Sequence, residues 1–88
     1  MHYIYILQSL KDKSLYKGLT SDLKKRLHEH NSGKGFYTSQ HQPYKLIYYE
    51  AYLLKSDAAA REMYLKTSMG MRVIKKQLHN YLELKNRF

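Results

Sequence analysis

The amino-acid sequence predicts an α/β (α+β) fold: a small three-stranded antiparallel sheet flanked by three helices, in the order β-β-α-β-α-α. Three observations predict it. Two β-rich segments near the start are separated by only a short polar turn. A longer β-like stretch follows at mid-chain. The segments between and after these carry apolar residues at spacings of three and four.

The first strand is His2 to Gln8, where Tyr3, Ile4, Tyr5, Ile6 and Leu7 stand in a row. Ser9 to Ser14 is polar and makes a turn. Leu15 to Thr20 is a second short strand, and an antiparallel hairpin is the shortest connection between the two. Thr20, Ser21 and Asp22 supply cap candidates for the first helix. Leu23 and Leu27 form its buried stripe, and Asn31-Ser32-Gly33 stops it. Residues 32–43 are loop. Tyr44 to Leu54 carries apolar groups on both faces, which predicts a well-covered strand. Ser56-Asp57 caps a second helix running to about Ser68, and Gly70 interrupts. A third helix carries Met71, Ile74, Leu78, Tyr81 and Leu82, with Lys75, Lys76 and Gln77 facing away.

Eighty-eight residues make one domain, 1–88. A chain this short buries only ~60–65% of its unfolded surface, which is enough for two layers and not for a deep ligand barrel or a large α/β enzyme. Sixteen Lys and Arg against seven Asp and Glu give a net charge of +9. That density points to a polyanionic partner, usually nucleic acid, sometimes a membrane surface or an acidic protein. The plainer alternative is a basic domain whose lysines are merely solvated. The absence of Cys excludes disulfides, thiolate nucleophiles and Cys-ligated metal, and fits a cytoplasmic protein. No apolar run approaches the ~20 residues of a membrane helix, and the start has neither a basic n-region nor a cleavage site for a signal peptide. There is no HExxH, P-loop, GxGxxG or GxSxG pattern.

Several residues stand where chemistry is possible. Arg26 and His30 are four apart on the first helix and share a face. They read equally as a solvated rim. Glu62 borders the small and apolar side of the second helix, where a carboxylate needs a cation or donors. Its spacing leaves open a salt bridge to Lys66 or Arg61, or a functional carboxylate. Tyr3 and Tyr5 share one strand face, and Tyr16 and Gly18 share another. A glycine two places from a tyrosine leaves room for a backbone or a phosphate to approach. Tyr44, Tyr48, Tyr49, Tyr52, Tyr64 and Tyr81 are read as packing residues with wetted hydroxyls.

Taken together these residues resemble the GIY-YIG nuclease superfamily, in particular its small stand-alone bacterial members related to the N-terminal nuclease domain of the UvrC-type excision-repair endonuclease. Tyr3-Ile4-Tyr5 stands where that family has GIY, and Tyr16-Lys17-Gly18 where it has YIG. The run from Gly18 to Asn31 is similar to its G-x-T-x-D-L-x-x-R-L-x-x-H-N helix, and Ala60 to Lys66 to its A-x-x-R-E-x-x-L-K helix, one residue tighter around the Ala. Two positions depart: Tyr3 replaces the leading glycine, and Lys17 the central apolar residue. Neither removes a residue that the family uses chemically.

The resemblance implies phosphodiester hydrolysis, DNA as the substrate, DNA repair or recombination as the setting, and one divalent metal, Mg²⁺ or Mn²⁺. Carried over by position, Tyr16 deprotonates or orients the attacking water, Arg26 stabilises charge on the phosphate, Glu62 holds the metal, and Tyr5 and His30 complete the site. A guanidinium offers a planar donor fork to the oxygens that gain charge, and a metal neutralises the leaving oxygen. A free phenol titrates near ~10, so a phenolic base implies a basic pH optimum. Lys24, Lys25, Lys34, Lys75 and Lys76 are the expected phosphate contacts, with little sequence specificity. The competing expectations are a nucleic-acid-binding module of the same fold without significant cleavage, and a basic interaction domain. A monomer or weak homodimer is expected, with edge pairing conceivable at 44–54.

Overall fold

The computed structural model of the chain describes residues 1–33 and 41–87, with side chains as far as Leu84. Strand β1 is His2–Ser9, β2 is Leu15–Thr20 and β3 is Tyr44–Tyr52. They form one antiparallel sheet in the order β2-β1-β3. The hairpin between β1 and β2 turns on short polar side chains. The Ser9 hydroxyl accepts from the amides of Lys11 and Asp12, and Asp12 accepts from both the amide and the hydroxyl of Ser14. Lys13 takes the left-handed conformation, φ 65°. The Ser14 bonds, helped by His41 at 2.7 Å, hold the Asp12 carboxyl well below the usual carboxylate range.

Helix α1 (Leu23–Asn31) covers one face of the sheet; α2 (Lys55–Leu65) and α3 (Ser68–Gln77) cover the other. Alternation along β1 makes this possible. Ile4 and Ile6 point to the side of Ala58, Leu65 and Ile74, while Tyr5 and Leu7 point to the side of Leu23, Leu27 and Tyr44. Each fully buried Ile or Leu stabilises the fold by about 1.5–3 kcal/mol. As expected, Asp22 caps α1, accepting from the Lys25 amide at 3.1 Å, and Gly33 leaves the helix at φ 81°.

Four expectations are corrected. The third helix divides in two: α3 ends at Gln77, Leu78 takes a non-helical cap conformation, and α4 (His79–Arg87) starts anew. The break lets the Tyr81 hydroxyl donate to Gln8 on β1 at 2.7 Å. Ser56 and Asp57 lie inside the first turn of α2, which begins after Leu54 with no side-chain cap. Gly70 does not interrupt a helix. It lies buried in α3, its amide donates to the Thr67 hydroxyl at 3.0 Å, and a Cβ there would overlap the Tyr64 carbonyl at the end of α2. Finally, β3 is an edge strand ending at Tyr52, with Lys45, Tyr49 and Ala51 exposed. Its apolar residues fall on both faces because of a bulge. Ile6 pairs with Tyr48 and Leu7 with Leu46, so Ile47 is the extra residue, and it turns with Tyr48 toward α2 and α3. Further along β3, Glu50 opposes burial with bonds from Arg61 at 3.0 Å, Tyr48 and Tyr52 at 2.7 Å. Those bonds outweigh its burial and keep it below the usual carboxylate range.

Candidate functional site

Tyr5 is the centre of the site, and a glycine puts it there. Tyr5 on β1 faces Gly18 on β2 directly. With no Cβ on Gly18, the phenol leans across β2, and its hydroxyl occupies the space a Cβ would take. The room beside Gly18 is therefore filled from the neighbouring strand rather than left for a phosphate. Two residues from α1 meet the hydroxyl. Arg26 Nε donates to the Tyr5 oxygen at 3.3 Å, and His30 Nε2 lies 2.9 Å from it. The Tyr5 oxygen accepts from Arg26 and shares a hydrogen bond with His30 Nε2 whose direction follows the imidazole tautomer.

Each group's protonation fits this chain of bonds. Burial, opposed by Arg26, raises the Tyr5 phenol above its ordinary pKa and keeps it protonated. Burial, with the Arg26 charge adding to it, lowers the His30 imidazole below its ordinary pKa and favours the neutral ring. The bond to Tyr5 raises Arg26, which remains a cation. Glu29 braces the guanidinium from one helical turn away, Nη1 to Oε1 at 3.2 Å. One side of the guanidinium is thus occupied, and the rest is partly exposed.

Tyr16 joins from β2. Its ring lies 4.9 Å from His30, edge to face, and 6.4 Å from Tyr5. Tyr44 closes the cluster, 6.1 Å from His30 and 6.5 Å from Tyr16. Tyr44 packs its ring as expected, but its hydroxyl is buried rather than wetted, and the residue that fixes it is Asn31. Asn31, at the end of α1, accepts from the Tyr44 amide at 2.6 Å and donates to the Tyr44 carbonyl at 3.1 Å. That pair of bonds fastens α1 to the start of β3 and so holds His30 in place. Its signal in the sequence is an amide side chain directly after His30, where the helix stop and the end of the family's helix pattern coincide.

Glu62 approaches from the other layer. It lies on α2, its side chain 21% exposed, with a loose ion pair to Lys66 at 3.5 Å. Arg61, the other candidate partner, is committed to Glu50. Among the described residues Glu62 makes no hydrogen bond to the α1 cluster, and its charge is a minor contributor to the raised pKa of the Tyr5 phenol. Tyr5 therefore meets Tyr16, Arg26 and His30, and Tyr16 packs on His30, while Glu62 lies on α2 in the other layer and reaches them only through its charge. Among the described residues no group of three His, Cys, Asp or Glu could cage a metal. One carboxylate with a displaceable lysine suits a hard cation such as Mg²⁺, which keeps most of its water.

The expected phosphate contacts divide. Lys24 and Lys25 are exposed on α1, and Lys25 lines a concavity of about 500 Å³ with Thr20, Asp22, Arg26 and Glu29. Lys75 and Lys76 are exposed on α3, in the opposite layer, where Lys75 and Lys13 border a separate groove that contains none of the five site residues. Lys17 points to that layer too, and burial, with Lys66 and Lys75 nearby, lowers its pKa. Lys34 lies outside the described residues, as does most of the expected loop.

A family model described as the GIY-YIG catalytic domain matches residues 1–72. The chain belongs to the GIY-YIG catalytic-domain family. Among its relatives, a UPF0213 protein of Clostridium perfringens is 48% identical over 67 residues, covering 75% of this chain and 71% of that protein. One of Bacillus licheniformis is 41% identical over 87 residues, covering 98% and 84%. The solution structure of a UPF0213 protein from Bacillus halodurans is similar at a TM-score of 0.51 and 39% identity, over 91% of this chain and 83% of that one. The expected fold class and family are thus both found. A GIY-YIG domain is of a nuclease type and implies contact with nucleic acid. No helix among the described residues is long and apolar enough to cross a membrane.

The relay sets a pH dependence. His30 is buried neutral, with its pKa lowered from the ordinary 6.5. As pH falls through that value the unfolded chain takes up the proton before the folded one, so stability declines on acidification and is fully present above it. We expect thermal stability to drop as pH falls below about 6.5, and the drop to shrink in His30→Gln. Imidazole NMR titration would check that His30 titrates below the exposed histidines.

Proposed function

We propose that this protein is a metal-dependent endonuclease that hydrolyses phosphodiester bonds in DNA. The observation that carries the reading is the Tyr5 hydroxyl bonded to both Arg26 and His30, with Tyr16 packed on His30. A cation from α1 and a phenol from β1 share one hydroxyl, which supports reading them as a site. DNA repair or recombination is the setting proposed from the family resemblance.

In this reading Arg26 receives a non-bridging phosphate oxygen on the part of its guanidinium not taken by Tyr5 and Glu29. Negative charge on that oxygen grows toward the transition state, and a fixed guanidinium stabilises it more there than in the ground state. Tyr16 orients the attacking water or accepts its proton. Tyr5 and His30 hold Arg26 and Tyr16 in place and pass a hydrogen bond between them. Glu62 would hold one Mg²⁺ or Mn²⁺, which when bound supplies a Lewis acid for the leaving oxygen. Lys24 and Lys25, beside Arg26, hold the flanking backbone; Lys75 and Lys76 serve a strand that wraps to the other layer.

Incubation with supercoiled plasmid, single-stranded DNA and branched DNA, with Mg²⁺ or Mn²⁺, tests this. Cleavage is expected with metal, and Glu62→Ala is expected to abolish it while the circular-dichroism spectrum is unchanged. Salt-dependent binding without metal-dependent cleavage would support the binding-module reading instead. Cleavage that survives Glu62→Ala would refute the assigned carboxylate.

A further inference from the structure

The sheet face that carries Tyr5 is only partly roofed. Helix α1 covers Leu7, Tyr44 and Leu46, and its cover runs out at Tyr5. Beyond that point the same face continues through Tyr3 on β1 and Tyr49 on β3. Tyr49 is the direct cross-strand partner of Tyr5, and Tyr3 is the partner of Ala51. The Tyr3 and Tyr49 rings stand 6.0 Å apart at 69°, edge to face. Tyr49 is 53% exposed, and Ala51, which borders the pair, is small and also exposed. An edge-to-face pair occupies one ring's edge and leaves a ring face open.

The position of this pair gives it a meaning that exposure alone would not. Tyr3 lies two residues from Tyr5, a strand step of about 7 Å. The Tyr5 hydroxyl holds Arg26, the proposed phosphate ligand. The aromatic pair and the cation thus flank Tyr5 from two sides, the pair toward β3 and Arg26 toward β2, on a chain of net charge +9. A nucleotide offers the matching pair of features, an anion and a flat π-surface joined by a short link. In duplex DNA the base face is covered by its neighbours; only an unpaired base has a face to offer.

We propose that Tyr3 and Tyr49 form a stacking platform for an unpaired base flanking the phosphate held at Arg26, so that the site takes single-stranded DNA in preference to intact duplex. This deepens the nuclease reading and rests on it. Stacking needs no base-edge contacts, so the preference is for strand state and not for sequence. Tyr49 supplies most of the platform, being the more exposed ring, and Tyr3 orients it.

The test uses the Glu62→Gln protein, to prevent cleavage, and oligonucleotides carrying 2-aminopurine, single-stranded or annealed. Quenching of the single strand on binding, with weaker binding of the duplex, is the expected result. Tyr49→Ala should weaken single-strand binding about tenfold, and Tyr49→Phe should restore it. The salt dependence of binding should be the same in Tyr49→Ala, because no phosphate contact is lost; a changed slope would overturn the assignment. Equal affinity of Tyr49→Ala for the single strand, or equal affinity of the parent protein for both forms, would also overturn it. So would a sedimentation experiment in which Tyr49→Ala converts a dimer to a monomer, since the face would then belong to a second copy. If the parent protein bound no nucleic acid at any salt concentration, the nuclease reading itself would fail; normal binding by Tyr49→Ala sinks the platform alone.

Discussion

Arg26→Ala is expected to lower the rate of DNA cleavage by about 10²–10³-fold at saturating substrate. Arg26 is bonded on two sides by protein groups, Tyr5 at 3.3 Å and Glu29 at 3.2 Å, and its side chain is partly exposed. A cation fixed in that way does not reorganise when phosphate charge develops, and such preorganised donors contribute most in the transition state. The loss should therefore fall on kcat more than on KM. Arg26→Lys should not recover the activity. An ammonium keeps the charge but has no planar fork, so it cannot donate to Tyr5 and to a phosphate oxygen in fixed directions at once. Single-turnover kinetics on a labelled strand would show the difference. A variant in which KM rises and kcat is untouched would place Arg26 in binding alone.

Gly18→Ala is expected to produce nearly as large a loss from a single methyl group. The added Cβ would overlap the Tyr5 hydroxyl and ring. Tyr5 is 2% exposed and packed against Leu7 and Tyr44, so the ring cannot swing into solvent to make room. It must tilt away, and both of its bonds, to His30 and to Arg26, are then broken. Overpacking of this kind costs about 1–3 kcal/mol of stability, which a small domain can survive. Tyr5→Phe supplies the comparison, because it removes the hydroxyl without displacing the ring. Both variants should remain folded by calorimetry and both should cleave poorly. A fully active Gly18→Ala protein would mean that the Tyr5 hydroxyl has no part in the reaction.

Much of this site was legible in the sequence, for definite reasons. Arg26 and His30 share a helical face because they are four apart, and that spacing alone brings both to one hydroxyl. Tyr3 and Tyr5 share a strand face because strand side chains alternate. The hairpin followed from a short polar connection. What could not be read were the features that depend on how elements meet. The bulge at Ile47 is invisible in a run of apolar residues, and such a run does not show that one face of β3 leaves Tyr49 and Ala51 exposed. Gly70 looks like a helix breaker in a linear pattern; its place is set by the close approach of α2 to α3. The break at Leu78 follows from the contact of Tyr81 with Gln8, which lies 73 residues away in the chain. Pairing partners across such distances leave no mark on local periodicity, and the same holds for the occupation of the space at Gly18 by Tyr5.

The central claim is that Glu62, from one layer, and the Tyr5–Tyr16–Arg26 cluster, from the other, face one phosphate and one cation. Paramagnetic broadening by Mn²⁺ tests it directly. The isotope-labelled protein would be titrated with substoichiometric Mn²⁺, and the resonances that broaden first would be mapped. The account predicts early loss of signals around Glu62 together with those of Tyr5, Tyr16 and Arg26, and persistence of all of them in Glu62→Gln. Broadening centred elsewhere, such as on Asp57 or Glu83, or an undiminished effect in Glu62→Gln, would contradict it.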